Sequence, residues 1–275
     1  MNTSGTTSMR DALYEAPGPK MRRKIRIWTI ISAVAVAWLV YMIVNVFYVH
    51  GQLAPRYWSF FTRATTWRYL GQGFLGTVKV SLTAGAISLV LGLVFMLLRI
   101  SSIKVLSWLA RIVIEFFRGV PSLLLIYFFF LVIPQYGIKM PSFWMITLPV
   151  ALAASGVLAE VFRAGVNAVP KGQTEAALSL GMSPFKVTHK IVLPQAIRFV
   201  IPSLISQLVV VVKDTTVAYV VSYPDLLQNG RVLITNYDAL VSTYFVIAVI
   251  YILVNYLLNK AAIAVSRRTG AKIIR

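Results

Sequence analysis

The chain has 275 residues, 58% of them hydrophobic and 13% charged, with a mean hydropathy of +0.77, which is too apolar for a soluble domain of this length. A formal net charge of +19 would suggest nucleic acid in a soluble protein, but here the basic residues flank long apolar runs. There is no cysteine, which excludes disulfides, thiolate metal sites and cysteine nucleophiles.

Residues 1–26 read as a basic cytoplasmic tail; the first 20 are polar, with Gly18 set between Pro17 and Pro19, and cannot bury enough apolar surface to order themselves. A helix needs about 20 apolar residues to cross a hydrocarbon core roughly 30 Å thick. Six stretches qualify, near Ile27–Val49, Gly73–Leu98, Ile112–Ile133, Trp144–Val166, Phe199–Ser222 and Val241–Ala264. The first is longer than a signal-peptide core and lacks a small-residue cleavage site, so it reads as a retained helix. Residues 27–72 then comprise this additional transmembrane helix and an external interfacial segment, where Trp58, Phe60, Phe61, Trp67 and Tyr69 crowd the headgroup level. Residues 73–275 form one unit of five spans. A β-barrel would need alternating segments of about ten residues; these runs are too long and uniformly apolar. The fold class expected is an all-α integral membrane protein with six transmembrane helices.

Of the 27 basic residues, 19 fall before the first span, after the second, around the loop after the fourth, and at the end of the chain. The alternate connections hold five: Arg56, Arg63, Arg68, Lys139 and Arg231. Cytoplasmic loops carry the excess of lysine and arginine, so the reading is a multi-pass protein of the cytoplasmic (inner) membrane with both termini in the cytoplasm.

The loop 169–195 contains KGQTEAALSLGMSPFKVTHKIVLPQ. Glu175 to Leu180 are good helix formers, Gly181 suits a left-handed C-cap, and Ser183-Pro184 starts a second short helix expected to run to Val192. Ala176 and Ala177 carry little bulk, so another protein could approach the backbone there. By periodicity alone this is a solvated helical hairpin.

Its spacing, Glu175-Ala176-Ala177, three residues, Gly181, nine residues, then Ile191-x-Leu193-Pro194, resembles the signature loop of ABC-importer permease subunits. The resemblance covers roughly Gly73 to Ala264. Thr77-Val78-Lys79-Val80-Ser81-Leu82, Glu115 to Pro121, Glu160-Val161-Phe162-Arg163 and Lys213-Asp214-Thr215 resemble the polar amino acid (histidine/glutamine/glutamate) branch, and the entry YEAPGPKMRRK with its added first span is most similar to glutamate-uptake permeases. The resemblance implies that the last five helices form a type I permease core. It implies that Gly172, Glu175, Ala176, Ala177, Gly181, Leu193 and Pro194 couple the chain to a cytoplasmic ABC ATPase dimer. ATP and magnesium would sit on that ATPase, with no cofactor on this chain, which has no GxxxxGK[ST] sequence. The other partners implied are a second permease subunit, related or identical, and an extracytoplasmic amino-acid-binding protein.

Charges inside spans each need a reason, since one near the centre costs about 2.5–3.5 kcal/mol on insertion scales. Glu115 and Arg118, and Glu160 and Arg163, are three apart and share a helical face; they read either as local pairs that fix helix depth or as a gate. Gly119 and Pro121 interrupt a helix, as a plain kink or at a cavity wall. Lys213 and Asp214 lie about 14 residues into the fifth span and point about 100° apart. They serve either to pair with a neighbouring helix or, with Thr215, to meet substrate in the pathway.

The first function expected is the permease subunit of an ATP-driven importer of a polar amino acid, glutamate above others. An intramembrane enzyme using Glu160, Asp214 or His189 is the second reading, although no metal-ligand spacing and no serine, histidine and aspartate set is found. A membrane scaffold that moves nothing is the third.

Overall fold

The computed structural model describes residues 18–268; the first 17 residues of the expected tail lie outside them. The chain divides into two units, 1–57 and 58–275. In the first, α1 (Pro19–Val49) starts with Pro19 in its first turn, where a missing N–H costs nothing. Eight residues assigned by sequence to the tail are therefore helical. No residue of α1 is buried, and Trp28, Val34, Trp38 and Tyr41 are each more than half exposed. A helix apolar all round with nothing covering it is suited to lipid.

The second unit begins at Trp58, well ahead of the boundary expected at residue 73, because the aromatic segment packs into it. Phe60 is buried and stacks on Tyr237 at 4.4 Å between centroids, and the Thr66 hydroxyl donates to the Phe60 carbonyl at 2.7 Å. Helix α2 (Ala64–Arg99) then runs 36 residues. Helix α3 (Lys104–Gly119) and α4 (Ser122–Tyr127) follow, with α4 continuing through a π turn and a 3-10 turn to Tyr136. The two arms of this third span bend by 97° at Val120–Pro121. The interruption expected at Gly119 and Pro121 is thus present as a sharp bend, where Pro121 can donate no helical hydrogen bond.

Helix α5 (Ser142–Ala168) is the centre of the unit, with 67% of its apolar window enclosed. Ala151, Ala153, Ala154, Ser155, Gly156 and Ala159 are all small and buried, and small residues let neighbouring backbones approach where apolar lipid offers no driving force of its own. At Gly156 an added Cβ would lie 3.0 Å from the Ile114 carbonyl and 3.1 Å from the Arg118 nitrogen. The helix α3 backbone crosses α5 there.

Helices α6 (Lys171–Ser179) and α7 (Pro184–Val187) make the loop, and α8 (Leu193–Asp214) follows a π turn at Thr188–Val192. Contrary to the sequence reading, the second loop helix does not stop at Val192. It runs through the π turn, α8 and a 3-10 stretch (Thr215–Val221) as one span, Pro184–Val221. Pro194 interrupts nothing because the wider π turn before it relieves the clash with the preceding carbonyl. The same device precedes Pro134, after the π turn Phe128–Val132. Helices α9 (Leu226–Tyr237) and α10 (Leu240–Arg268) complete the unit. Among the described residues five helices are long and apolar enough to cross a membrane, six when the bent pair counts as one.

Candidate coupling loop and substrate pathway

Helix α6 ends in a Schellman motif. The Gly181 N–H donates to the Leu178 carbonyl at 2.9 Å and the Met182 N–H to the Ala177 carbonyl at 3.2 Å, with Gly181 at φ +75°. The left-handed cap expected at Gly181 is present, and an added Cβ would meet nothing within 4 Å. Met182 folds back on the buried cluster of Val169, Ala177, Val187, Val192 and Ala196, which anchors the loop to the ends of α5 and α8.

Gly172, Glu175, Ala176, Gly181 and Pro194 are exposed. Ala177 is not: it is 6% exposed and packs inward, so it holds the loop and leaves the outer surface to its neighbours. Leu193 is half-buried against the Phe162 and Val200 cluster. Sequence reasoning missed two residues on the outer side, Leu180 at 83% and Phe185 at 70% exposure. Sequence alone did not separate them from Leu178, Met182 and Val187, which share the loop. Phe185 lies 4.0 Å from the His189 ring. Between α6 and the rest of the loop lies a groove of about 620 Å³, lined by Thr174, Glu175, Leu178 and Thr188 among others.

Above the loop, the two acid–base pairs are joined into one network by Arg99, which the sequence showed only as a flanking charge. Arg118 Nη1 is 3.2 Å from Glu115 Oε2 and Arg163 Nη2 is 2.7 Å from Glu160 Oε2; Arg99 Nη1 reaches Glu160 Oε1 at 3.5 Å and Glu115 Oε1 at 3.9 Å. The end of α2 is thereby tied to both α3 and α5. Pro121, at the bend, follows this network directly.

Lys213, Asp214 and Thr215 diverge. Thr215 is fully buried; its Oγ1 donates to the Val212 carbonyl at 2.8 Å and lies 3.3 Å from Ser81 Oγ, so it fixes the helix against α2. Asp214 is partly exposed and Lys213 exposed. From Phe199 to Val221 the exposed positions are Phe199, Ser203, Ser206, Val210, Lys213 and Tyr219, a stripe along the span that carries three hydroxyls and a cation.

Further along the same helix, residues 223–229 dock tightly on α2. The Leu226 N–H donates to Thr77 Oγ1 at 3.1 Å, Tyr223 Oη to the Gly76 carbonyl at 3.4 Å, and Asn229 Nδ2 to the Tyr69 carbonyl at 2.8 Å. Asp225 caps α9, accepting the Gln228 N–H on Oδ1 at 2.7 Å, while Oδ2 is buried without a partner among the described residues. Burial pushes its carboxyl up to about 6, against the opposing pull of the Gln228 and Leu227 backbone N–H groups.

The folded chain thus holds this proton more tightly than an unfolded one with its usual value near 3.8. Stability from this group is greatest below that value and is lost as pH rises towards 6. Asp225→Asn keeps a capping oxygen and removes the charge. The difference in thermal midpoint between variant and wild type should grow from near zero at pH 4 to a few degrees in the variant's favour at pH 7; a constant difference would contradict the assignment.

Residues 88–270 match the family model described as binding-protein-dependent transport system inner membrane component. The chain is 34% identical to the glutamate transport system permease protein GluD of Corynebacterium glutamicum, over 81% of this chain and 83% of the relative. It is 35% identical to the probable glutamine ABC transporter permease protein GlnP of Bacillus subtilis, over 70% and 90%. Among solved structures it is similar to an amino acid ABC transporter crystallised with histidines, with a TM-score of 0.72 and 29% identity over 76% of this chain and 98% of the other. The inward-facing MetNI methionine ABC transporter shares the fold at a TM-score of 0.65 and 18% identity, over 75% and 99%.

Proposed function

Since the chain belongs to the family of binding-protein-dependent transport system inner membrane components and is a permease subunit of an amino acid ABC importer, we propose glutamate as its cargo and a separate cytoplasmic ATPase as its motor. ATP and magnesium are held by that ATPase, and an extracytoplasmic binding protein delivers the amino acid to a pair of permease subunits. The observation that carries this reading is the loop. A Schellman-capped helix is anchored from within by Ala177 and Met182 and turns Glu175, Ala176, Leu180 and Phe185 outward, which is the geometry of a docking element. The 19 to 5 division of basic residues supports a cytoplasmic loop and termini. Lys213 supplies positive charge to a substrate carboxylate, with Asp214 beside it and Thr215 locking the helix. The network of Arg99, Glu115, Arg118, Glu160 and Arg163 holds three helix ends together where a gate would act.

Similarity to the glutamate permease supports the choice of cargo. The complex of this chain with its ATPase and binding protein, reconstituted in vesicles, should accumulate labelled glutamate and show glutamate-stimulated ATP hydrolysis. Stimulation by glutamine or arginine with none by glutamate would overturn the cargo.

A further inference from the structure

Helix α1 has length to spare for a membrane crossing. Its apolar part, residues 27–49, covers about 35 Å at about 1.5 Å per residue, enough for a hydrocarbon core of roughly 30 Å. Residues 19–26 continue the same helix through a headgroup layer about 5–7 Å deep. Among them Lys20, Arg22, Arg23, Lys24 and Arg26 are cationic and exposed, and no carboxylate occurs in the sequence between Glu15 and Glu115. A count of positive charges is enough to orient a span; where they stand around the helix is a separate matter.

A shallow groove of about 500 Å³ runs down one face of α1, lined by Met21, Lys24, Ile25, Trp28, Thr29 and Ser32, positions that recur three and four apart and so share that face. Lys24 is the single charge in this lining and stands near its N-terminal end. It makes no ion pair among the described residues. Three residues ahead of the apolar run, its ammonium lies at the depth of lipid phosphates. Beyond it the wall is largely apolar: the Thr29 hydroxyl donates to the Ile25 carbonyl at 2.8 Å, and Trp28 is an exposed amphipathic ring of the kind that settles at the headgroup level. From Lys24 to Ser32 the groove extends about 12 Å along the helix. Arg23 falls on the opposite face, given about 3.6 residues per turn.

A cation at phosphate depth above an apolar trough complements a molecule that is itself an anion joined to a hydrocarbon chain. A free phosphate would use the lysine and leave the trough bare, and an acidic protein surface would stop at the headgroups. We infer that this face of α1 binds an anionic phospholipid, with its phosphate on Lys24 and an acyl chain along Ile25, Trp28 and Ser32. The inference goes beyond the transport reading and holds for any cargo.

The chain has no cysteine, so a fluorophore on Val36→Cys, one turn beyond Ser32 and exposed, reports lipid on this face. The full chain carrying that label is placed in phosphatidylcholine nanodiscs that hold a minor fraction of either phosphatidylglycerol or phosphatidylcholine brominated on its acyl chains. Brominated phosphatidylglycerol should quench more strongly, with an enrichment of several-fold that falls as salt is raised. One lysine or arginine beside an anionic surface is worth roughly fivefold in partition. Lys24→Gln should therefore lose about that factor, and Lys24→Arg should keep the preference. Arg23→Gln removes the same charge from the opposite face and should lose much less; four of the five cations remain in either glutamine variant to orient the span. Equal quenching of the otherwise wild-type chain by the two lipids would overturn the proposal. So would equal losses in the two glutamine variants, which would mean diffuse attraction to a ring of charge. A Lys24→Gln chain that keeps its lipid preference but releases the ATPase on co-purification would assign the lysine to that partner and overturn it too. Vesicle uptake is a separate readout: no uptake of any amino acid, with the lipid preference intact, sinks the transport reading alone.

Discussion

Gly181→Asp is expected to reduce uptake to background while the chain still inserts and folds. The cap needs φ +75°, which glycine adopts freely and aspartate tolerates better than most residues. Its side chain would enter open space within this subunit. Local strain of roughly 1–2 kcal/mol is too small to unfold a unit of this size, so in the proposed complex the loss would come from a negative charge set where the ATPase docks. Gly181→Asn separates the effects, since it has nearly the same size and a similar tolerance of the left-handed region but no charge. It should keep a substantial part of the uptake. Uptake assays with co-purification of the ATPase check both; equal activity of the aspartate variant and wild type would remove Gly181 from the interface.

Gly76→Val should be strongly destabilising. A Cβ at Gly76 would land on the Pro224 carbonyl oxygen, a backbone atom that cannot step aside as a side-chain end can. Relief requires lifting residues 223–229 from α2, with the loss of the hydrogen bonds at Gly76, Thr77 and Tyr69. Overpacking of a close-packed site costs about 1–3 kcal/mol, more where backbone must move. The yield of monodisperse protein in detergent should fall several-fold, with a lower thermal midpoint. Gly71→Val, where nothing lies within 4 Å, is the control and should express normally.

Spans, loop and cap were legible in the sequence because each rests on local chemistry: twenty apolar residues suffice for a span, and a glycine after good helix formers suffices for a cap. What was not legible depends on contacts between distant residues. Arg99 counted only as a flanking charge until α2, α3 and α5 brought it between Glu115 and Glu160. Ala177 has the same side chain as Ala176, and only the direction of packing separates an anchor from a surface residue. The helix end expected at Val192, just before Pro194, is misplaced for a related reason. A proline breaks an α-helix by a local rule, and a π turn one step earlier, which no local rule announces, suspends it.

That suspended break has a mechanical consequence. Because Pro184 to Val221 is one rod of 38 residues, roughly 60 Å long at about 1.5 Å per residue, its near end lies in the loop and its far end carries Lys213, Thr216 and Tyr219. A pivot at the loop swings the distant tip by about 1 Å per degree over that length. A partner that turned Phe185 and His189 a few degrees would move the lysine's surroundings by several ångströms, provided the π turn at Thr188–Val192 and Pro202 within the helix stay stiff.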